Sequence, residues 1–264
     1  MRANRWCRLP DGPVTGQTND MRPFLLLATR AEDAIADDEF AAVVRHGGLQ
    51  PGQVVRLRVD REPIGELDLD AWSGILLGGS PFNSSDPVET KSAVQLEVEA
   101  ELARVLDLVV EQDFPFLGAC YGIGTLGTHE GAVVDRTFAE PVGPVSVELT
   151  LAGRKDPLCA GLPTRFDAFV GHKEAVRELP SGAVLLATSD PCPVQMFRIK
   201  KNLYATQFHP ELDADGLSRR IEEYKHHGYF APHETEELKA VARRSAVPHP
   251  PRLLRNFFRL YARD

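Results

Sequence analysis

The chain of 264 residues has no apolar stretch approaching the ~20 residues needed to span a bilayer. It also has no excess of positive charge. The formal net charge of -8 and a pI near 5.5 argue against nucleic acid or an anionic membrane as the main partner. Only four cysteines occur, at 7, 120, 159 and 192, and no two form a CxxC pair. That usage excludes a disulfide scaffold or a zinc module and fits a reduced, cytoplasmic chain. There is no internal repeat, no Walker phosphate loop and no Ser-Gly-Gly-x-Asp-Ser loop for ATP pyrophosphate chemistry. Residues 1–20 mix Arg, Pro, Gly, Asn and Asp without periodicity and lack the apolar core of a signal peptide. They read as a flexible leader, with Met21 as an alternative start, and residues 21–264 as a single domain.

What is present is a series of short apolar runs alternating with helical periodicity. Phe24–Ala28 is a continuous apolar run, the signature of a strand buried on both faces. A helix is expected over Asp37–His46, ending at Gly47-Gly48, then a half-wet strand over Val54–Val59. Trp72–Leu77 reads as a buried strand running into Gly78-Gly79-Ser80-Pro81. Val94, Val98, Leu102, Val105, Leu106 and Val109 make one apolar stripe in a helix predicted over Val88–Gln112. A strand starting at Pro115 leads to Cys120. This order predicts an α/β fold with a mostly parallel central sheet flanked by helices.

After Pro144 the texture changes. Short strands are expected over Val145–Leu151, Phe166–Val170, Ala183–Thr188, Val194–Ile199 and Leu203–Gln207, a small antiparallel appendage inserted before the sheet is finished. Helices over Ala214–His227 and Thr235–Arg244, and a last one through Phe257, Phe258 and Tyr261 after Pro248-His249-Pro250-Pro251, form a C-terminal extension. The acidic stretch Glu32–Glu39 reads as a solvated helix face.

The chemistry centres on Gly118-Ala119-Cys120-Tyr121-Gly122-Ile123-Gly124. An apolar strand ends in glycine, and a cysteine follows at the corner into a helix. Glycines at 118 and 122 remove side chains where strand, turn and helix crowd together. This is the nucleophile-elbow arrangement with sulfur in place of a serine oxygen. A buried packing cysteine is the competing reading. A thiolate nucleophile needs a base and a group to orient that base. Pro210 disfavours a helical backbone at His209, so His209 and Glu211 sit in an extended segment and face the same side. Alternatively, this is a surface loop with a lone histidine and an unrelated acid. An oxyanion needs two backbone donors, and Tyr121 and Gly79 are placed to offer them. His226, His227 and His233 fit no common metal spacing, and no metal is expected. Cys159 and Cys192 read as inert.

Taken together and in this order, the Gly-x-Cys-x-Gly segment at 118–122, the Gly-Gly-x-Pro loop at 78–81 and His209-Pro210-Glu211 resemble the triad (class I) glutamine amidotransferases. The likeness is greatest to the stand-alone amidotransferase-domain proteins related to the glutaminase half of GMP synthase. Asp156-Pro157-Leu158 with Gly161-Leu162-Pro163, and Gly171-His172-Lys173-Glu174, add secondary matches, and coverage runs from about Met21 to about Leu212. The resemblance implies a flavodoxin-like architecture. It also implies attack by Cys120 on the side-chain amide of glutamine, with the oxyanion held by the Gly79 and Tyr121 amides. His209 then protonates the ammonia and is oriented by Glu211, and water hydrolyses the γ-glutamyl thioester. It places Gly78, Gly124 and His172 at substrate-binding positions. It implies no cofactor, a small-molecule substrate, and a separate synthetase or acceptor protein for the ammonia. One departure stands out: where the family usually carries a glutamine that helps hold the substrate, this chain has Gly124. That leaves open a γ-glutamyl amide or peptide hydrolase needing no acceptor, and a non-catalytic binding relative. A cysteine α/β-hydrolase is disfavoured, because its acid normally precedes its histidine.

Overall fold

The computed structural model describes residues 21–264; the leader expected over 1–20, with Trp6 and Cys7, lies outside the described residues. Five strands form the parallel part of a nine-stranded sheet: β1 (Phe24–Ala28), β2 (Val54–Arg58), β3 (Gly74–Leu77), β4 (Phe116–Ala119) and β11 (Leu203–Thr206). Their spatial order is β2-β1-β3-β4-β11, all pairings parallel. Every residue of β1, β3, β4 and β11 is buried, which is why β1, β3 and β4 are unbroken apolar runs; in β11 the Thr206 hydroxyl is satisfied by donating to Phe208 O.

The pleat of β1 divides the core in two. Leu25 and Leu27 pack with Ile75 and Leu77 against α2 (Ala93–Glu111) and α3 (Tyr121–His129), through Val98, Leu102, Leu106, Val109, Ile123 and Leu126. Phe24 and Leu26 point the other way, toward Val43 of α1 (Asp33–Gly47) and toward α6 (Pro251–Tyr261). There Phe24 meets the Phe258 ring edge-on at 4.7 Å between centroids.

The antiparallel strands join the same sheet beyond β11. Here β10 (Met196–Ile199), β9 (Val184–Thr188), β6 (Glu140–Leu149) and β7 (Arg165–His172) follow in that order. A separate pair, β5 (Val133–Asp135) and β8 (Ala175–Glu178), was not legible, since strands of three and four residues carry too little alternation to read. The helix expected from Val88 begins at Ala93, because the Ser92 hydroxyl accepts the Gln95 N–H and caps it there. Ahead of it, Val88–Thr90 forms a short 3-10 turn. The C-terminal segment contains α4 (Ala214–Glu223) and α5 (Thr235–Arg244), which pack on each other. No helix among the described residues is long and apolar enough to cross a membrane.

Candidate active site

The C-terminal ends of β1, β3, β4 and β11 converge on one cleft. At the end of β4 the chain turns through Cys120 with φ 54 and ψ -93, a conformation that a side chain rarely adopts, and α3 begins at the next residue. The turn is over-determined. The Cys120 N–H donates to Thr206 O of β11 at 2.8 Å, and a Cβ on Gly118 would lie 2.7 Å from the carbonyl oxygen of Gly122. Only glycine at 118 lets helix and strand approach so closely. The sulfur is half-exposed in the cleft, whereas Cys159 and Cys192 are buried, their thiols pushed up to about 12 by burial.

His209 and Glu211 follow β11, and the His209 N–H donates to Phe169 O of β7 at 3.1 Å. His209 Nδ1 lies 2.8 Å from Glu211 Oε1, and both residues are buried. With Nδ1–H donating to the carboxylate, Nε2 is the nitrogen left to serve the cleft. Burial opposes a charge on His209, but the Glu211 carboxylate and the Cys120 sulfur outweigh it and raise the imidazole to about 9. Burial likewise opposes charge on Glu211, yet His209 and Arg220 hold it well below the carboxylate range.

Tyr121 is the first residue of α3, so its backbone N–H has no acceptor within the helix. Gly79 lies against both His209 and Arg30: a Cβ there would stand 2.7 Å from His209 Cε1 and 2.5 Å from Arg30 Nη2. The Gly78 N–H donates to Leu27 O at 3.1 Å, and its bare Cα makes room for the Glu39 carboxylate. A Cβ on Gly124 would lie 3.0 Å from Glu174 Oε1 and 3.1 Å from Ser84 Oγ. The space beside Gly124 is therefore bounded by a carboxylate, itself fixed by the Ser84 and Ser85 N–H groups at 2.7 Å each. His172 borders the same arm of the cleft, fully engaged: Nδ1 donates to Glu174 O at 2.8 Å, and Nε2 meets Glu140 Oε2 at 2.8 Å. Glu140, His172 and Cys192 have ligand-type atoms within 4.8 Å of one another. Glu140 Oε2, however, is already shared between His172 and Gln195 Nε2, so hydrogen bonding accounts for the cluster.

Four residues that the sequence did not mark as part of the site stand behind His209 and Glu211. Arg220 Nη2 donates to Glu211 Oε1 at 3.0 Å and to Glu39 Oε1 at 3.3 Å. Arg30 Nε donates to the same Glu39 oxygen at 3.1 Å, and its Nη1 to the Tyr224 hydroxyl at 3.0 Å. Glu39 is 1 % exposed, which corrects the reading of Glu32–Glu39 as a solvated face. The helix turns this one acid inward because two guanidiniums await it there. Arg30 offered one signal: a charged residue two positions past a fully buried strand. Arg220 sits on α4 and Tyr224 just past its end, and neither offered one.

A cysteine at a strand-to-helix corner, with a histidine–carboxylate pair at the neighbouring strand end, is the arrangement of α/β proteins built for acyl transfer from a sulfur nucleophile. Within that class the chain belongs to the glutamine amidotransferase class-I family, whose model matches residues 38–221. It is 30% identical over 154 residues to the glutamine-hydrolysing GMP synthase subunit of Thermoplasma volcanium, covering 58% of this chain and 69% of that one. It is 31% identical over 124 residues to the GMP synthase of Thermosipho africanus, covering 47% of this chain and 23% of that longer protein. The chain thus spans about a quarter of the single-chain GMP synthase it matches. A glutamine amidotransferase from Thermotoga maritima has the same fold, with a TM-score of 0.70 at 22% identity over 91% of this chain and 98% of that one.

Proposed function

We propose that this chain hydrolyses a side-chain amide of glutamine or a γ-glutamyl compound, with Cys120 as nucleophile, His209 as proton carrier and Glu211 as its orienting acid. The observation that carries this reading is the strained Cys120 corner facing the same cleft as the buried His209–Glu211 pair. Cys120 Sγ attacks the amide carbon, and the oxyanion is held by the Tyr121 and Gly79 amides. His209 gives its proton to the departing nitrogen, and water then cleaves the thioester. Gly78, Gly124 and His172 shape the substrate arm: Gly78 by admitting Glu39 behind the oxyanion loop, Gly124 by leaving space beside Glu174, and His172 by bracing the segment at 171–174. The names of the relatives support a separate synthetase as acceptor of the ammonia. Release to water without an acceptor is favoured by a specific observation: Tyr229 and Phe230, from the α4–α5 connection, line the cleft from the chain's own C-terminal part. The test is glutamate release from glutamine and γ-glutamyl amides by native protein and by Cys120→Ala, with labelling of Cys120 by a glutamine-analogue electrophile. Absence of both hydrolysis and labelling in the native protein would reject the reading.

A further inference from the structure

Cys120 stands where two arms of one cleft meet. Ser80, Cys120, Gly171 and Tyr229 border both arms. One arm is polar, with Asn83, His172, Lys173, Glu174 and Gln207 in its walls, and Tyr121 borders it too. The other, open to solvent, holds His209 and is walled by Val142, Val170, Leu217, Ile221 and Phe230.

The two arms divide the reaction between them. The acyl part of a substrate belongs on the side of the Tyr121 amide, and the leaving nitrogen on the side of His209, which must protonate it. An ammonia molecule has one heavy atom and gains nothing from an apolar wall. An organic substituent on the nitrogen does gain, by roughly fourfold in binding for each methylene buried. Charge narrows the choice further. Arg30 and Arg220 are the ionic groups in this arm besides His209, and no carboxylate among the described residues lines it. Glu39 and Glu211 lie behind it, bonded to those arginines. A cationic substituent would meet two guanidiniums first, and the carboxylates behind them are already committed to those arginines, so no free counter-charge faces it. The roof fits the same occupant. Lys173 Nζ lies 4.3 Å from the centre of the Tyr229 ring and donates to His227 O at 2.7 Å, which holds the aromatic pair Tyr229-Phe230 over the cleft.

We propose that the substrate is a γ-glutamyl amide carrying an uncharged, apolar substituent on its amide nitrogen, its glutamyl part in the polar arm and its substituent in the apolar one. This rests on the Cys120 amidase reading above. Sγ bonds to the carbonyl carbon of the γ-glutamyl amide, the C–N bond breaks, and the His209 proton goes to the nitrogen, so a free amine leaves and a γ-glutamyl thioester remains. Water then adds to the thioester and returns glutamate and the thiol. The overall change is one amide and one water to one acid and one amine.

The experiment compares kcat/KM for glutamine, γ-glutamyl-isoamylamide and the γ-glutamyl monoamide of 1,4-diaminobutane, read as glutamate release. The isoamylamide is expected to exceed glutamine by about 30-fold or more, and the cationic amide to fall roughly tenfold below the isoamylamide. Phe230→Ala should lower the isoamylamide-to-glutamine ratio several-fold; because Phe230 packs on the cluster that holds Leu212, Leu217 and Ile221, the melting temperature of the variant is measured alongside to show that it is folded. Glutamine as the best of the three substrates, or the cationic amide preferred over the isoamylamide, overturns the substituent proposal while leaving Cys120 chemistry standing. No hydrolysis of any of them, with no labelling of Cys120, overturns both.

Discussion

The floor of the cleft and its back wall are built by opposite means. The floor is made of strand-end turns, Gly118–Gly122 and His209–Glu211, whose parts are at most a few residues apart in sequence. It holds its sulfur in place with backbone strain at Cys120. The back wall is made of Arg30, Glu39, Arg220 and Tyr224, with Arg220 and Glu39 separated by 181 positions. It holds the base in place with buried charge. Strain at one residue costs about 1–3 kcal/mol and is local. A buried ion network breaks for about 3–5 kcal/mol when one member is lost, because the others are left uncompensated. In the proposed reaction the floor supplies the reacting atoms, and its own Glu211 and Cys120 raise His209; the wall, through Arg220, helps to keep Glu211 ionised behind His209.

Separating these two contributions gives the following expectations, beginning with the largest. Cys120→Ala should reduce amide hydrolysis by at least roughly a thousandfold, as loss of a nucleophile does in triad enzymes. The melting temperature should hardly change, because the sulfur is not part of the core. A comparable loss of stability would mean that floor and wall are one structural unit. Glu39→Gln should do the reverse to the fold: it leaves Arg30 without its carboxylate partner and Arg220 with Glu211 alone, and unfolding in urea should show a loss of about 3–5 kcal/mol.

Next comes pH. His209 is raised from 6.5 to about 9, so its charged form adds stability that is complete below 6.5 and disappears as pH climbs through about 9. Glu211 is lowered from 4.5, so its contribution is complete above 4.5 and disappears as pH falls below that. The stability gap between native protein and Glu211→Gln should therefore be widest near pH 5–6 and narrow in both directions. A gap that stays flat from pH 5 to 10 would show that His209 and Glu211 are not paired. Smallest of all is the stability change of Cys120→Gly, a gain of about 1 kcal/mol read by urea unfolding, since glycine adopts the positive φ without strain.

The floor was legible because each part is a short-range statement. Glycines two residues either side of a cysteine report crowding at a turn, and a proline after a histidine reports an extended backbone. Three of the parallel strands, β1, β3 and β4, were legible for a similar reason, since burial on both faces leaves an unbroken apolar run, as in Phe24–Ala28; β11 was expected among the antiparallel strands, and its parallel pairing with β4 is set by residues some ninety positions away. The boundaries that shifted were set by side chains acting locally but weakly, as when the Ser92 cap moved the start of α2 to Ala93. Glu39 was misread because an acid among acids on a helix looks like solvent-facing charge. Its partners, Arg30 and Arg220, come from before that helix and from near the other end of the chain.

By itself, the order of residues determined the α/β alternation, the Cys120 corner, the pairing of His209 with Glu211 and the loop at Gly78-Gly79. Each of these follows from sterics or hydrogen bonding within a few residues. Tertiary structure alone decided that Glu39 is buried between two arginines, that Glu174 borders the space beside Gly124, and that α4 and its following loop wall and roof the cleft. Those outcomes depend on which distant surfaces meet, and a charge or an aromatic ring on a helix has no local mark of the partner it will find.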